Sequence, residues 1–426
     1  MKSLTVLMEQ NGSMTLVGFI SGTSSADACF QYDPEYLMKL DASPVSVSLP
    51  LQEESFSVRQ TAAFFEGLLP EGFTRRSVAQ WLHADESDYL PILHALGREC
   101  LGAICITEKG DIPPASYEPV TDRQVRELAA EGAVKSAEIV TKSHLSLTGA
   151  SGKVGLYYDK TQKAWYLPKG TAPSTHIVKQ SHIRLDSIIA NEQLCLMTAA
   201  RCGIPVCKSF IINTGNGNED EILFATERYD RILPEDAPLI DNLHAPLRLH
   251  QEDMAQAMGI PSSEKYEKNT SDQYLKRMFD LLRHYSADPI TDQLKLWDLI
   301  VFNYLIGNTD AHIKNFALLY GQSHKSICLA PAYDIVSTSI YRQSTRDMAF
   351  YIGNERSLDN LHIEHFREAA SIIGIGEKLA LLHYDKMCDR FEKALNQSSD
   401  ELSSIGFDKA LDIKERILKT GGIASV

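Results

Sequence analysis

At 426 residues, with 44% hydrophobic and 23% charged positions, the chain is long enough for two or three globular domains and too apolar to be mostly disordered. Lys and Arg total 42 against 56 Asp and Glu, a net charge of −14, which disfavours DNA binding by the chain alone and makes a basic partner the expected route to DNA. The opening residues turn polar too soon for a signal peptide, no run approaches a membrane span, and the eight cysteines form no C-x-x-C pair, so the expectation is a cytoplasmic protein with buried free thiols.

Residues 1–107 read as a small α+β domain. Strands are expected at 4–8, 14–20 and 45–51, with Asn11-Gly12 as the hairpin turn between the first two. Apolar spacing predicts helices at 61–69, 73–82 and 91–96, with Phe64, Phe65 and Trp81 in the core, and a strand at 103–107. Residues 108–120 carry Pro113, Pro114 and Pro119 and read as a linker.

The segment 121–230 has the order of a kinase small lobe. Thr121 caps a short helix, and 145–158 reads as strand, glycine-rich turn, strand. The turn holds Thr148, Gly149, Ala150, Ser151, Gly152 and Lys153, where small residues let backbone amides approach phosphate oxygens and Lys153 adds charge. It has no G-K-[ST] and no following helix, so it resembles a hairpin lid rather than a P-loop; standing alone, such a turn is only a turn. A strand then delivers Lys179, and a helix with Asp186 as its cap and Gly203 as its stop carries Glu192, the ion pair that orients phosphates in kinases. Strands at 208–213 and 221–226 lead into Glu227, Arg228 and Tyr229, the place of an adenine-binding hinge.

Residues 231–426 read as helical, with helices expected at 251–258, 272–285, 294–306, 361–373, 378–395 and 408–418. Between two of them, Asp310-Ala311-His312-Ile313-Lys314-Asn315 has the D-x-x-x-x-N spacing of a kinase catalytic loop, and Ala332-Tyr333-Asp334 follows as the metal-binding aspartate. Asp and Asn are also ordinary turn residues, so the weight lies in the order of lid, lysine, helix glutamate, catalytic loop and late aspartate.

These segments, together with Ser174-Thr175-His176-Ile177-Val178-Lys179, Glu227-Arg228-Tyr229-Asp230-Arg231, Gln251-Glu252-Asp253 and Leu96-Gly97-Arg98-Glu99-Cys100-Leu101-Gly102-Ala103, resemble the HipA family of bacterial serine/threonine kinase toxins over nearly the whole chain. The resemblance implies an α+β, two-lobed, protein-kinase-like fold with a small N-terminal subdomain and a mostly helical C-terminal lobe. It implies ATP and Mg²⁺ as cofactors, Asp310 as proton acceptor, Asn315 and Asp334 as metal ligands, and Lys179 at the phosphates. His312, Lys314, Tyr333, Glu227, Arg228 and Tyr229 join the nucleotide site, and Ser146 is the autophosphorylated serine that silences the enzyme. Implied partners are a small DNA-binding, HipB-like antitoxin and a translation protein as substrate, with aminoacyl-tRNA synthetases the class. The family's Gly-Ala-Gln is here Gly149-Ala150-Ser151-Gly152, so Thr148 and Ser151 stand beside Ser146 as candidate hydroxyls. A small-molecule kinase would share the same chemistry, and a silent co-repressor would lack turnover.

Overall fold

The computed structural model describes residues 3–108, 114–132, 139, 152–181 and 185–426. The chain is a mixture of helix and sheet in two compact units, one of Met1–His182, Ile212–Ser262 and Leu319–Ser326, the other of Ile183–Ile211, Ser263–Leu318 and Ile327–Val426. Among the described residues no helix is long and apolar enough to cross a membrane.

The first unit holds two sheets on one apolar core. In the first, Cys29–Tyr32, Ser13–Ser21, Leu4–Gln10 and Ile104–Glu108 lie side by side in that order, all antiparallel. Asn11 and Gly12 both have positive φ, 48° and 79°, the backbone that a two-residue hairpin loop needs to match strand twist. Helices Val58–Phe65, Gly72–Trp81 and Tyr89–Leu96 bury Phe64, Phe65, Leu90 and Leu93 in a core that runs on to Val154, Leu156, Val178 and Leu223 of the second sheet. Trp81, expected inside, is 58% exposed at its helix end.

The stretch 45–51 is not a strand. Its alternating Val and Ser suggest one, but Pro44 precedes it and Pro50 lies within it, Ser46 and Leu49 close a tight turn, and Glu252 takes the Val47 amide at 3.0 Å. The third strand of that sheet is Cys29–Tyr32, where Phe30 and Tyr32 face the core.

The second sheet runs Ser116–Val120, Ala164–Lys169, Lys153–Asp159, His176–Gln180, Ile222–Glu227 and Ser209–Asn213, the last contributing two residues to this unit. Part of the expected linker is therefore its edge strand: Pro119 is tolerated at an edge that needs no further donor, and Tyr117 is buried with its hydroxyl donating to the Pro173 carbonyl at 2.8 Å. Thr121 caps helix Asp122–Glu131 in a reciprocal capping box with Gln124, as the sequence suggests. Residues 251–253 are a short strand rather than the start of a helix, with Asp253 capping Met254–Met258.

In the second unit, helices Tyr274–Tyr285, Pro289–Ile306, Ile363–Ile373, Glu377–Ser404 and Lys409–Thr420 surround an aromatic core. Trp297 and Tyr304 meet Phe366 at ring separations of 6.0 and 5.0 Å, and Tyr384 closes on Phe366 at 4.9 Å. Helix Ile188–Cys202 ends at Gly203 with φ +94°, but starts at Ser187 in the left-handed region rather than at a capping Asp186. Cys100, Cys105, Cys195, Cys202 and Cys207 are buried free thiols, whereas Cys328 is exposed.

Candidate active site

Helix Pro289–Ile306 is stopped at Gly307, whose φ of +68° and lack of a side chain are both required: a Cβ there would lie 2.1 Å from the Ser339 hydroxyl. The chain then folds back over 308–315. From Asn308 to Lys314 only Asp310 is exposed, so the loop is packed everywhere except at its carboxylate. Asn315 Nδ2 donates to the Asp310 carbonyl at 3.0 Å and the Asn315 amide to the His312 carbonyl at 2.8 Å, which ties the two ends of the D-x-x-x-x-N segment together. With its nitrogen so used, the Asn315 side chain presents an oxygen on its other side.

Asp334 lies on a second loop pinned to the first. The Tyr333 hydroxyl donates to the Lys314 carbonyl at 2.9 Å, and the Thr309 amide donates to the Thr338 hydroxyl at 2.7 Å. Ala332 pairs in parallel with Val206, fixing the chain just before Asp334. Asp334 itself has φ +55°, uncommon for a residue with a side chain and found where surrounding structure imposes it. Behind this loop Asn191 exchanges two hydrogen bonds with the Ser337 backbone, at 2.9 and 3.1 Å, and the next residue, Glu192, is buried.

In the first unit, Lys179 stands in the middle of a sheet. Its register partners are Lys153 on one side and Phe224 on the other, so two lysines sit directly opposite each other on one face. Two cations so placed suit an anion such as a phosphate. Lys179 is buried, with its Nζ over the Phe224 ring at 5.6 Å. Of the expected glycine-rich turn, Gly152 and Lys153 are described; Thr148, Gly149, Ala150, Ser151 and the serine at 146 lie outside the described residues. Glu227 pairs with Lys160 at 2.8 Å, and the Tyr229 hydroxyl donates to Gln251. Lys179 belongs to the first unit and Glu192 to the second, so their pairing stays an expectation of the sequence.

Asn315 and Asp334 fit a hard divalent cation by donor type, an amide oxygen and a carboxylate, the ligands Mg²⁺ takes when substrate phosphates and water complete its shell. Among the described residues no group of three or more His, Cys, Asp or Glu is arranged to hold a metal by itself.

Residues 6–107 match the model of the HipA N-terminal domain and residues 145–395 that of the HipA-like C-terminal domain. The chain belongs to the HipA family. A putative kinase, Y4mE, from Sinorhizobium fredii is 32% identical over 404 residues, covering 93% of this chain and 92% of its own length. The serine/threonine-protein kinase toxin HipA of Shewanella oneidensis is 24% identical over 426 residues, covering 95% and 92%. A solved structure of Shewanella oneidensis HipA with HipB and operator DNA superposes with a TM-score of 0.77 at 21% identity, covering 99% of both chains, which establishes the protein-kinase-like fold. As a HipA-family member the chain is a kinase, an activity that implies ATP and, as a rule, a divalent metal.

One part of this HipA-family chain departs from its sequence reading. Arg228, expected at the nucleotide, is committed elsewhere: its backbone amide donates to Thr175 and its guanidinium is buried against Glu99 at 3.0 Å and Asp230 at 2.7 Å. Arg231 and Arg248 join the same cluster, Arg231 reaching Glu99 at 2.9 Å and Arg248 reaching both Glu99 at 2.9 Å and Glu9 at 3.0 Å. Burial by itself would raise the Glu99 carboxyl, but Arg231, Arg248 and Arg228 overcome that and hold it down at about 2. Gly102 completes the arrangement, its amide donating to Asp230 at 2.7 Å in a turn of φ +74° where a Cβ would meet the Gln251 backbone at 2.9 Å. The family motifs around Glu99, Arg228 and Gln251 thus meet in one buried network. No local sequence signal marks it, because its members lie up to 239 positions apart.

Tyr266 also escaped the sequence reading. Its hydroxyl donates to Asp310 Oδ1, and its ring meets the His312 ring edge-on at 5.2 Å.

Proposed function

We propose that this chain is an ATP-dependent serine/threonine protein kinase acting as the toxin of a toxin-antitoxin module. Its substrate would be a translation protein of the aminoacyl-tRNA synthetase class, and its restraint a small DNA-binding, HipB-like antitoxin. The observation that carries the reading is the catalytic loop itself: an exposed Asp310 on an otherwise buried turn, tied by Asn315 and backed by the Asp334 loop. In this reading the Asp310 carboxylate takes the proton of the acceptor hydroxyl as its oxygen bonds to the γ-phosphorus and the bond to the β-phosphate oxygen breaks, releasing ADP. Asn315 and Asp334 would hold Mg²⁺, which when bound would supply charge neutralisation at the phosphates. Lys153 and Lys179 face the phosphates, and Glu227 and Tyr229 border the adenine. Lys314, through its carbonyl bond to Tyr333, keeps the two loops in register.

The net charge of −14 supports a role for a basic partner at DNA. The Shewanella oneidensis relative was solved with HipB and its operator, and a comparable partner is the one this surface charge favours. Ser146 is proposed as the autophosphorylated residue, since a phosphate adds roughly −2 charge a few positions before Lys153 in the sequence and would compete with ATP for the lid's cation. The test is incubation of the protein with Mg²⁺ and labelled ATP in a bacterial extract, with and without the co-expressed antitoxin. Label on a translation protein, suppressed by the antitoxin, is expected. Label only on small hydroxyl compounds would replace this reading by a small-molecule kinase, and no label at all by a silent co-repressor.

A further inference from the structure

Tyr266 is positioned by more than its own bond to Asp310. The next residue, Glu267, is buried, and its carboxylate accepts the Tyr274 amide at 2.9 Å and the Tyr351 amide at 2.8 Å. The Glu267 amide donates to the Ala349 carbonyl at 2.8 Å and its carbonyl accepts from Arg356 at 2.8 Å. Four hydrogen bonds therefore rivet the chain immediately behind Tyr266 to helix Tyr274–Tyr285 and to strands Asp347–Ile352 and Glu355–Ser357 of the same unit. In front, Tyr266 is 41% exposed, and its ring rests edge-on against His312, two residues from Asp310. An exposed tyrosine fixed from behind and leaning on one carboxylate oxygen has the geometry of a brace rather than of a mobile flap.

We infer that Tyr266 is a positioning residue for phosphoryl transfer, its hydroxyl fixing one oxygen of Asp310 so that the carboxylate is presented to the acceptor in a single orientation. The inference rests on the reading of Asp310 as the proton acceptor. A hydrogen bond to a charged oxygen is strong enough to select among the rotamers of an exposed aspartate. Alignment of the accepting oxygen matters only while the acceptor reacts, so the hydroxyl contributes to turnover and not to nucleotide binding. The edge-on contact with His312 holds the ring whether or not the hydroxyl is present.

The test compares wild type, Tyr266→Phe and Asp310→Ala, measuring transfer of labelled phosphate from saturating Mg²⁺ATP to proteins of a heat-treated bacterial extract, together with ATP affinity and the thermal midpoint. Tyr266→Phe is expected to lower turnover about tenfold, the order of one lost bond to a charged group, with KM for ATP and the midpoint unchanged. Unchanged or increased turnover would overturn the inference, as would a loss accompanied by an equal fall in midpoint and ATP affinity. Asp310→Ala separates the two claims: if it retains turnover, the proton-acceptor assignment fails, whereas inactive Asp310→Ala beside fully active Tyr266→Phe defeats the brace alone.

Discussion

Glu99 and Arg228 form a fully buried ion pair at 3.0 Å that joins the N-terminal domain to the segment leaving strand Ile222–Glu227. The same Glu99 oxygen accepts from Arg231 at 2.9 Å, while its other oxygen accepts from Arg248 at 2.9 Å. Glu9, Glu99 and Asp230 thus balance Arg228, Arg231 and Arg248 within one desolvated cluster. Glu99→Ala leaves three buried guanidiniums against two carboxylates, and removing one member of such a network costs about 3–5 kcal/mol. Urea denaturation should therefore show a loss of that order; a change under about 1 kcal/mol would mean that the cluster relaxes without Glu99.

Lys153 and Lys179 are direct cross-strand partners on one face, so both should contribute to binding of an anionic ligand. Lys179→Met and Lys153→Met are each expected to weaken ATP binding about tenfold, with Lys179→Met the more severe because Lys179 is buried and less screened. Calorimetric affinities equal to wild type would remove both lysines from the phosphate site.

Asp334 combines a side chain with a backbone conformation that favours glycine, φ +55°. Asp334→Gly is therefore expected to keep the backbone turn while weakening ATP binding in the presence of Mg²⁺. In EDTA the variant and wild type should bind nucleotide alike. A variant that binds Mg²⁺ATP as well as wild type does would assign Asp334 to structure alone.

His324 provides a pH signature. Burial holds its imidazole down at about 4, with the ring bonded to the Glu9 carbonyl at 3.1 Å and the Ser43 hydroxyl at 3.2 Å. The unfolded chain takes up this proton near the ordinary histidine value of about 6.5, whereas the folded protein resists until about 4. Stability is thus fully present above pH ~6.5 and is lost as pH falls toward 4, by on the order of 3 kcal/mol from this residue. His324→Gln should flatten the stability profile over that interval, and a slope unchanged from wild type would show that His324 titrates normally in the folded state. His250 and His176, also held down by burial, at about 3 and about 4, leave a residual slope of the same sign.

What the sequence discloses is what local chemistry dictates. The Asn11-Gly12 turn, the Thr121 capping box, the Gly203 stop and the long helices of the second unit follow from neighbours within a turn or two of one another. Residues 45–51 and 116–120 were misread because alternation and proline content do not reveal which side chain will satisfy the backbone or which strand lies at an edge. The same limit applies at the site. Asp310 and Asn315 are legible from spacing because one turn joins them, and Asp334 from its place downstream. The Tyr266 contact with Asp310, the opposition of Lys153 and Lys179, and the withdrawal of Arg228 into the Glu99 cluster are long-range facts of packing and register.

The most direct test of the account is phosphate transfer by Asp310→Ala, measured beside its affinity for Mg²⁺ATP. Because the Asp310 carboxylate acts on the acceptor hydroxyl in the transition state, the variant should lose at least about 10²-fold in turnover while binding the nucleotide within about threefold of wild type. Turnover close to wild type would contradict the assignment of Asp310, and with it the catalytic loop on which the proposed function rests.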